Sequence, residues 1–359
     1  MRLADVERYL ERATATDRFR GRYRVAATGG TTGRRGIFLS DSAEWTQILA
    51  SYSRAYAWAG LEVGLTHRLR MAIVSSRVAT HQSSIVGATV SNPLIPTLRL
   101  DATDPLADTV AALNSFQPQA LVGYASMLQM LANEQRAGRL AITPLAVFSA
   151  SEVLTPEICA LASQAWNREP FNVYAATETA GLASECRQHH LHRYEDLVIA
   201  EPVDSQYRPV PPGATGDKLL VTVLFSRTQP LIRYELTDRV RFSTQTATDL
   251  GPFGLLDEIE GREEDILSLP GRNGGSVRIH PNIFHGVLET TGGPWQVVRE
   301  VDRLRLLLAD EGRTDGETLI AAMRKALANA GANDLPITVE HVAAIPRTLL
   351  GKRPLIRLA

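Results

Sequence analysis

Cysteine is scarce in this 359-residue chain. Two thiols, Cys159 and Cys186, cannot staple a polypeptide of this length, which excludes a disulfide scaffold and leads us to expect a reduced, cytoplasmic protein. Neither sign of charge dominates: 38 Lys and Arg face 39 Asp and Glu, a formal net charge of −1. That balance excludes a general nucleic-acid binder, which needs a basic surface to displace counterions. Long apolar runs are missing too. The stretch up to Arg24 is polar and mixed in charge, unlike a secretory signal, and nothing approaches the roughly 18 apolar residues of a membrane span. The LRLLL segment at 304–308 is short and contains Arg305. There is no internal repeat and no low-complexity tract.

What is present is a globular composition, 44% apolar, in a chain longer than the roughly 250–300 residues at which single cores stop growing. Two domains are expected. Residues 1–20 read as an amphipathic helix, followed by a strand from Tyr23 to Ala27, a Gly/Thr loop and a second strand from Ile37 to Leu39. Ser40 or Asp41 is placed to cap a helix carrying Trp45, Ile48, Leu49, Tyr52 and Tyr56. Buried strands are expected at 70–76 and 145–151, helices at 105–116 and 124–137, and a further helix starting at Thr155-Pro156. Residues 171–181 read as a strand running into a loop. Strands alternating with helices predict a layered α/β core. From 195 to 260 the texture changes to strand-rich segments, read as an antiparallel sheet or small barrel. A new α+β unit is expected after residues 261–276: a helix at 281–290, strands at 296–301 and 303–309, a helix at 315–331 and a strand at 336–342.

Five short segments have chemistry to offer. Thr28-Gly29-Gly30-Thr31-Thr32-Gly33, then Arg34 and Arg35, has the glycines for close backbone approach and the N–H groups, hydroxyls and charge to cradle phosphate. It is not a Walker loop, because no Gly-Lys-Ser/Thr follows at the required spacing. Tyr174-Ala175-Ala176-Thr177-Glu178 ends a strand, where open α/β sheets bind ligands, and its Thr and Glu suit phosphate and Mg²⁺. Within RYELTD (233–238) and GREED (261–265), Asp238 and Arg262 suit a ribose diol or a phosphate. Lys352 follows Gly351 near the C-terminus, a place for an electrostatic catalyst. Singly, the glycine-rich loop reads equally well as a flexible turn, and the others read better as solvated or salt-bridged surface and a basic tail.

Taken together, in this order and spacing, the five segments resemble the motifs of the adenylate-forming superfamily of acyl-CoA synthetases, adenylation domains and luciferases. FQPQALVGYASMLQMLA, SASEVLTPE and VYAATETAGLASEC are similar to its phenylacetate–CoA ligase-like branch, and the likeness runs over about residues 22–359. The resemblance implies a large domain (1–263) of layered α/β with a small β-rich subdomain, and a mobile α+β domain (264–359) carrying Lys352. It implies that Thr28, Gly29, Gly30, Thr31, Thr32 and Gly33 hold the β- and γ-phosphates of ATP. Tyr174 would stack on adenine, with Asn172, Ser151 and Glu152 lining the base. Thr177 would touch the α-phosphate, Glu178 would bind Mg²⁺, Asp238 would take the ribose hydroxyls beside Arg262, and Glu264 would be the hinge. Lys352 would bridge carboxylate and nucleotide. Mg²⁺ and the lysine would offset the repulsion of two anions, and a hinge rotation would then exchange the face of the small domain.

The chain departs from the family pattern. Gly29 stands for the usual Ser, Arg34-Arg35 for Lys-Pro, and Leu236 for a residue before a Thr-Gly-Asp that here lacks its Gly. The phosphate loop starts at residue 28, several dozen residues earlier than in the family, so part of the N-terminal lobe is expected to be missing. Some relatives carry a zinc built from Cys and His. Cys186 with His189, His190 and His192 offers half such a set, but no Cys pair occurs at 240–260, so zinc is not expected. Small residues (Ser75, Ser76, Ser83, Ser84, Gly87, Ala125, Ser126, Ala150, Ala175, Ala176) line the expected acyl pocket, which suits a sizeable acyl or aryl acid; His81 reads more readily as a surface or satisfied histidine than as a polar contact there. The expected activity is ATP-dependent adenylation of a carboxylic acid followed by transfer to CoA. An amine or a carrier-protein thiol is the alternative acceptor. A non-catalytic nucleotide-binding relic is a third reading, opposed by retention of Glu178, Asp238, Arg262 and Lys352. No nucleic-acid or membrane partner is expected, and the oligomeric state is left open.

Overall fold

The computed structural model describes residues 2–28, 36–102, 104–245, 249–262, 267–272, 274–279, 281–288, 291, 293–309, 314–346 and 354–358. Gly29 to Gly33, Glu264 and Lys352 lie outside them, and so does the side chain of Arg262. The chain divides into two compact units, residues 1–260 and residues 261–348 with the C-terminal strand Ile356–Leu358.

The first unit is built on a seven-stranded sheet. Its order is Thr97–Asp101, Met71–Ser75, Ala120–Gly123, Ala146–Ala150, Phe171–Ala176, Ala180–Glu185 and Leu191–Arg193. The first five strands are parallel and the last two antiparallel. Strand Met71–Ser75 is buried at every position, as expected of a central parallel strand covered on both faces. On one side, helices Leu106–Phe116, Ala125–Arg136 and Pro156–Trp166 contribute Leu113, Leu128, Leu131 and Ala162 to a core with Val74, Leu121 and Val147. On the other, Ala55 of helix Ser42–Trp58 packs with Met71, Phe148 and Val173.

Local signals behave as their chemistry dictates. Asp41 caps helix Ser42–Trp58 by accepting from Ala43 and Glu44 N–H, and Glu44 accepts in return from Asp41 N–H. Thr155 caps helix Pro156–Trp166, with Pro156 at its first turn. The N-terminal helix is a correction: it spans Leu3–Leu10, not residues 1–20, because the Asp17 carboxylate accepts from Thr14 N–H and holds a turn instead. Helix Gln82–Val90 was not anticipated, since Ser, Gly and Thr interrupt its apolar pattern.

The strand-rich stretch forms small open antiparallel sheets among the described residues. One orders Val198–Val203, Lys218–Val223 and Tyr234–Leu236; another pairs Asp238–Phe242 with Leu256–Arg262. The hairpin Arg24–Ala27 with Ile37–Ser40 flanks the glycine-rich segment. The second unit has a four-stranded sheet in the order Ile337–His341, Leu304–Leu308, Trp295–Arg299 and Ile356–Leu358. Helices Pro281–Leu288 and Gly316–Asn329 supply Phe284, Leu288, Leu319 and Met323 to its core. No helix among the described residues is long and apolar enough to cross a membrane.

Candidate functional site

The C-terminal ends of the parallel strands form one edge of the large sheet. Ser76 follows Ser75, Tyr124 follows Gly123, Ser151 follows Ala150 and Thr177 follows Ala176. Backbone groups freed at such ends are available to a ligand. Here several are already tied. Ser76 N–H donates to the Tyr124 hydroxyl at 2.8 Å, and burial pushes that phenol up to about 12. Ser126 N–H donates to Glu152 Oε2 at 2.8 Å, so Glu152 closes the first turn of helix Ala125–Arg136 from the bend after strand Ala146–Ala150. Ser151 sits at φ 69°. Asn172 N–H donates to Glu185 on the neighbouring antiparallel strand.

Tyr174 is only 8% exposed and packs with Leu182, Tyr194, Val221 and Leu236. The following residues, Thr177, Glu178 and Thr179, make the tight turn between strands Phe171–Ala176 and Ala180–Glu185. Thr179 N–H donates to Ala176 O, and Gly181 N–H donates to Ser51 Oγ at 3.1 Å. A side chain at 181 would meet the Tyr194 ring at 2.7 Å, so only glycine lets the strand lie this close.

The neck of the glycine-rich segment is closed by two bonds. Thr28 N–H donates to Gly36 O at 2.9 Å, and Gly36 N–H donates to Thr28 Oγ1 at 2.8 Å. Beyond the neck, Gln229 holds the outgoing strand, accepting from Leu39 N–H and donating to Ile37 O. Glu44, 5% exposed, accepts from Arg227 and Thr228 N–H and from the Thr228 hydroxyl. Burial alone would raise its carboxyl, but these bonds outweigh burial and hold it below the usual range.

Two of the five motifs, YAATE and RYELTD, come together here beside strand Ile37–Ser40. A cavity of about 30 Å³, room for one or two waters, is lined by Phe38, Ser40, Gln82, Thr177, Glu178 and Gln229. The Phe38 ring meets Tyr234 of the RYELTD segment edge-on at 5.9 Å. Burial, then the Glu178 charge, raises the Tyr234 phenol. Asp238 begins the next strand and is 9% exposed.

A second cluster lies at the far end of strand Ala180–Glu185. Ligating atoms of Cys186, His190, His192 and Asp249 all lie within 4.8 Å of one another. Asp249 Oδ2 is 2.9 Å from Cys186 Sγ, 3.3 Å from His190 Nδ1 and 3.4 Å from His192 Nε2. Hydrogen bonds from the Cys186 thiol first, then from main-chain N–H and His190, with the His192 charge, outweigh burial and bring the Asp249 carboxyl down to about 2, while burial and Asp249 raise the thiol. One thiol, two imidazoles and a carboxylate are the four donors a tetrahedral zinc takes, and such donors stand about 3.3–3.8 Å apart around the ion. The residues therefore fit zinc. His192 is fully buried, and its Nδ1 has no hydrogen-bond partner among the described residues. His189 is outside the set: it pairs with Glu185 at 2.9 Å and stacks on Phe171. Sequence reasoning searched 240–260 for cysteines and so passed over Asp249, although Asp is also a zinc ligand.

No family model matches the chain. Protein CapK of Staphylococcus aureus is 23% identical over 336 residues, which span 91% of this chain and 72% of that protein. Among solved structures, 2-hydroxyisobutyryl-CoA ligase in the postadenylation state with 2-HIB-AMP is similar at a TM-score of 0.72 and 18% identity, over 96% of this chain and 74% of that one. Anthranilate CoA ligase AuaEII in complex with anthranoyl-AMP is similar at a TM-score of 0.62 and 14% identity, over 92% and 65%. The chain has the fold of the adenylate-forming ligases.

Proposed function

We propose that this chain is an ATP-dependent carboxylate ligase that converts an aryl or acyl acid to an acyl-AMP and passes the acyl group to CoA as a thioester. Chief support comes from the Thr177–Glu178 turn, which faces one cavity with Phe38 and Ser40 beyond the glycine-rich segment, in a fold shared with ligases bound to acyl-AMP. In this assignment Thr28 to Gly33 hold the β- and γ-phosphates, and Thr177 contacts the α-phosphate. Asp238 takes the ribose hydroxyls, with Arg262 beside it. Ser151, Glu152 and Asn172 border the base, and Tyr174, packed as it is, acts as a fixed wall there. Glu178 would hold Mg²⁺, which offsets charge on the phosphoryl oxygens when bound. Lys352 would meet the acid and the α-phosphate, with Glu264 as the hinge.

The acid's carboxylate attacks the α-phosphorus, a C–O–P linkage forms, and the α–β P–O bond breaks with its electron pair leaving on pyrophosphate. The small side chains Ser75, Ser76, Ser126 and Ala150 suit a bulky acid, and free cysteines suit a cytoplasmic setting. The test is ATP–pyrophosphate exchange with a panel of aryl, acyl and hydroxy acids; no exchange with any of them ends this reading. Product masses with CoA, amines and a carrier-protein thiol then choose the acceptor.

The Cys186 cluster supports a second assignment, contrary to the expectation from sequence: a structural zinc held by Cys186, His190, His192 and Asp249. All four positions would be filled by protein, which leaves none for a reacting water.

A further inference from the structure

Gln82 has no part in any motif, yet it is buried (4% exposed) on the nucleotide side of helix Gln82–Val90. Its amide faces two carbonyls, which fixes its orientation: Nε2 donates to Ala176 O at 3.2 Å and to Thr177 O at 3.0 Å. These are the two carbonyls that lead into the Thr177–Glu178 turn. Two residues earlier, Thr80 O accepts from Ala27 N–H at 2.8 Å, at the last residue before the neck of the glycine-rich segment. Residues 80–82 therefore tie together two segments almost 150 positions apart in the chain, one by a main-chain acceptor and one by a side-chain donor.

We propose that Gln82 is a positioning residue, which sets the turn bearing Thr177 and Glu178 in register with the phosphate-loop hairpin. This rests on the nucleotide assignment made above. A buried amide that spans two successive carbonyls leaves the turn one conformation, and a turn without that brace re-aims both side chains. Gln82 borders the cavity with Thr177 and Glu178, but its amide is spent on the two carbonyls, so in this scheme it acts through the turn rather than on nucleotide or metal. The effect should therefore fall on the phosphates and the divalent cation and spare the base and sugar.

The test is calorimetric binding of ATP with Mg²⁺ and, separately, of adenosine, to the full chain and to Gln82→Leu and Gln82→Glu, with unfolding midpoints measured alongside. Gln82→Leu should weaken MgATP binding about tenfold, the size of one or two lost hydrogen bonds, and leave adenosine binding unchanged. Gln82→Glu should weaken MgATP further, because a carboxylate then faces two carbonyls. An unchanged ratio of MgATP to adenosine affinity in both variants overturns the proposal, whatever happens to the midpoint, since a purely structural residue would give that result. If the unsubstituted chain fails to bind MgATP, the nucleotide assignment itself is wrong and the proposal falls with it, a result distinct from the first.

Discussion

Strand Ala180–Glu185 has the Thr177–Glu178 turn at one end and the Cys186 cluster at the other, and the two ends are held in different ways. At the turn, the braces are neutral: Gln82 and Ser51 side chains and the turn's own N–H groups bind main-chain atoms. At the cluster, three donors crowd one carboxylate oxygen, and the thiol keeps its proton by sharing it with Asp249. Metal binding there would release that proton, so shape and ion are coupled. On the assignments proposed above, the comparison teaches that a substrate site and a structural ion site can share a strand while drawing their order from different sources.

The largest expected effects break the comparison on activity alone. Glu178→Gln and Lys352→Ala should each lower pyrophosphate exchange by about a hundred- to a thousandfold with an unchanged unfolding midpoint, and Lys352→Ala should spare ATP binding. A midpoint drop in Glu178→Gln as large as that in Cys186→Ser would erase the distinction. Next in size, a strong chelator or Cys186→Ser should release a single equivalent of zinc, measured by atomic emission, and cost about 3 kcal/mol of stability. Protein purified without zinc, and no stabler when zinc is added, would refute the cluster assignment.

Smaller effects sharpen it. Glu44→Gln places an amide N–H among N–H donors and should cost about 2 kcal/mol in urea unfolding at neutral pH. The folded carboxyl ionises below its ordinary value of 4.5, so its contribution is complete above that value and disappears as pH falls through the lower folded one. The gap between wild type and variant should close on acidification; a constant gap would mean the carboxylate charge is irrelevant. Thr155→Ala removes a helix cap whose hydroxyl bonds only Ile158 N–H among the described residues, and should cost only about 1 kcal/mol with activity intact.

Much of the architecture was legible because it is local. Alternating strands and helices, the Asp41 and Thr155 caps and the buried strand Met71–Ser75 follow from periodicity and capping chemistry within a few residues. The Thr177–Glu178 segment was legible as a strand end. Helix Gln82–Val90 was not, because its small and polar residues carry no apolar period, and its stability comes from tertiary packing. The resemblance implies that Tyr174 stacks on adenine; that its ring is mostly buried among Leu182, Tyr194 and Leu236 was not legible, since nothing local distinguishes a buried aromatic from an open one.

By itself the sequence determined which chemical groups exist and in what order: a glycine-threonine loop, a Thr-Glu at a strand end, an Asp and a terminal lysine. Only tertiary structure decided that Asp249 completes the set begun by Cys186, that Glu152 closes a helix it does not belong to, and that Gln82 braces a turn nearly a hundred residues away. The reason is physical. A cap or a periodic face is satisfied by neighbours in sequence, whereas a buried polar side chain takes whichever main-chain atoms the fold brings within about 3 Å, and those atoms are the same in every residue.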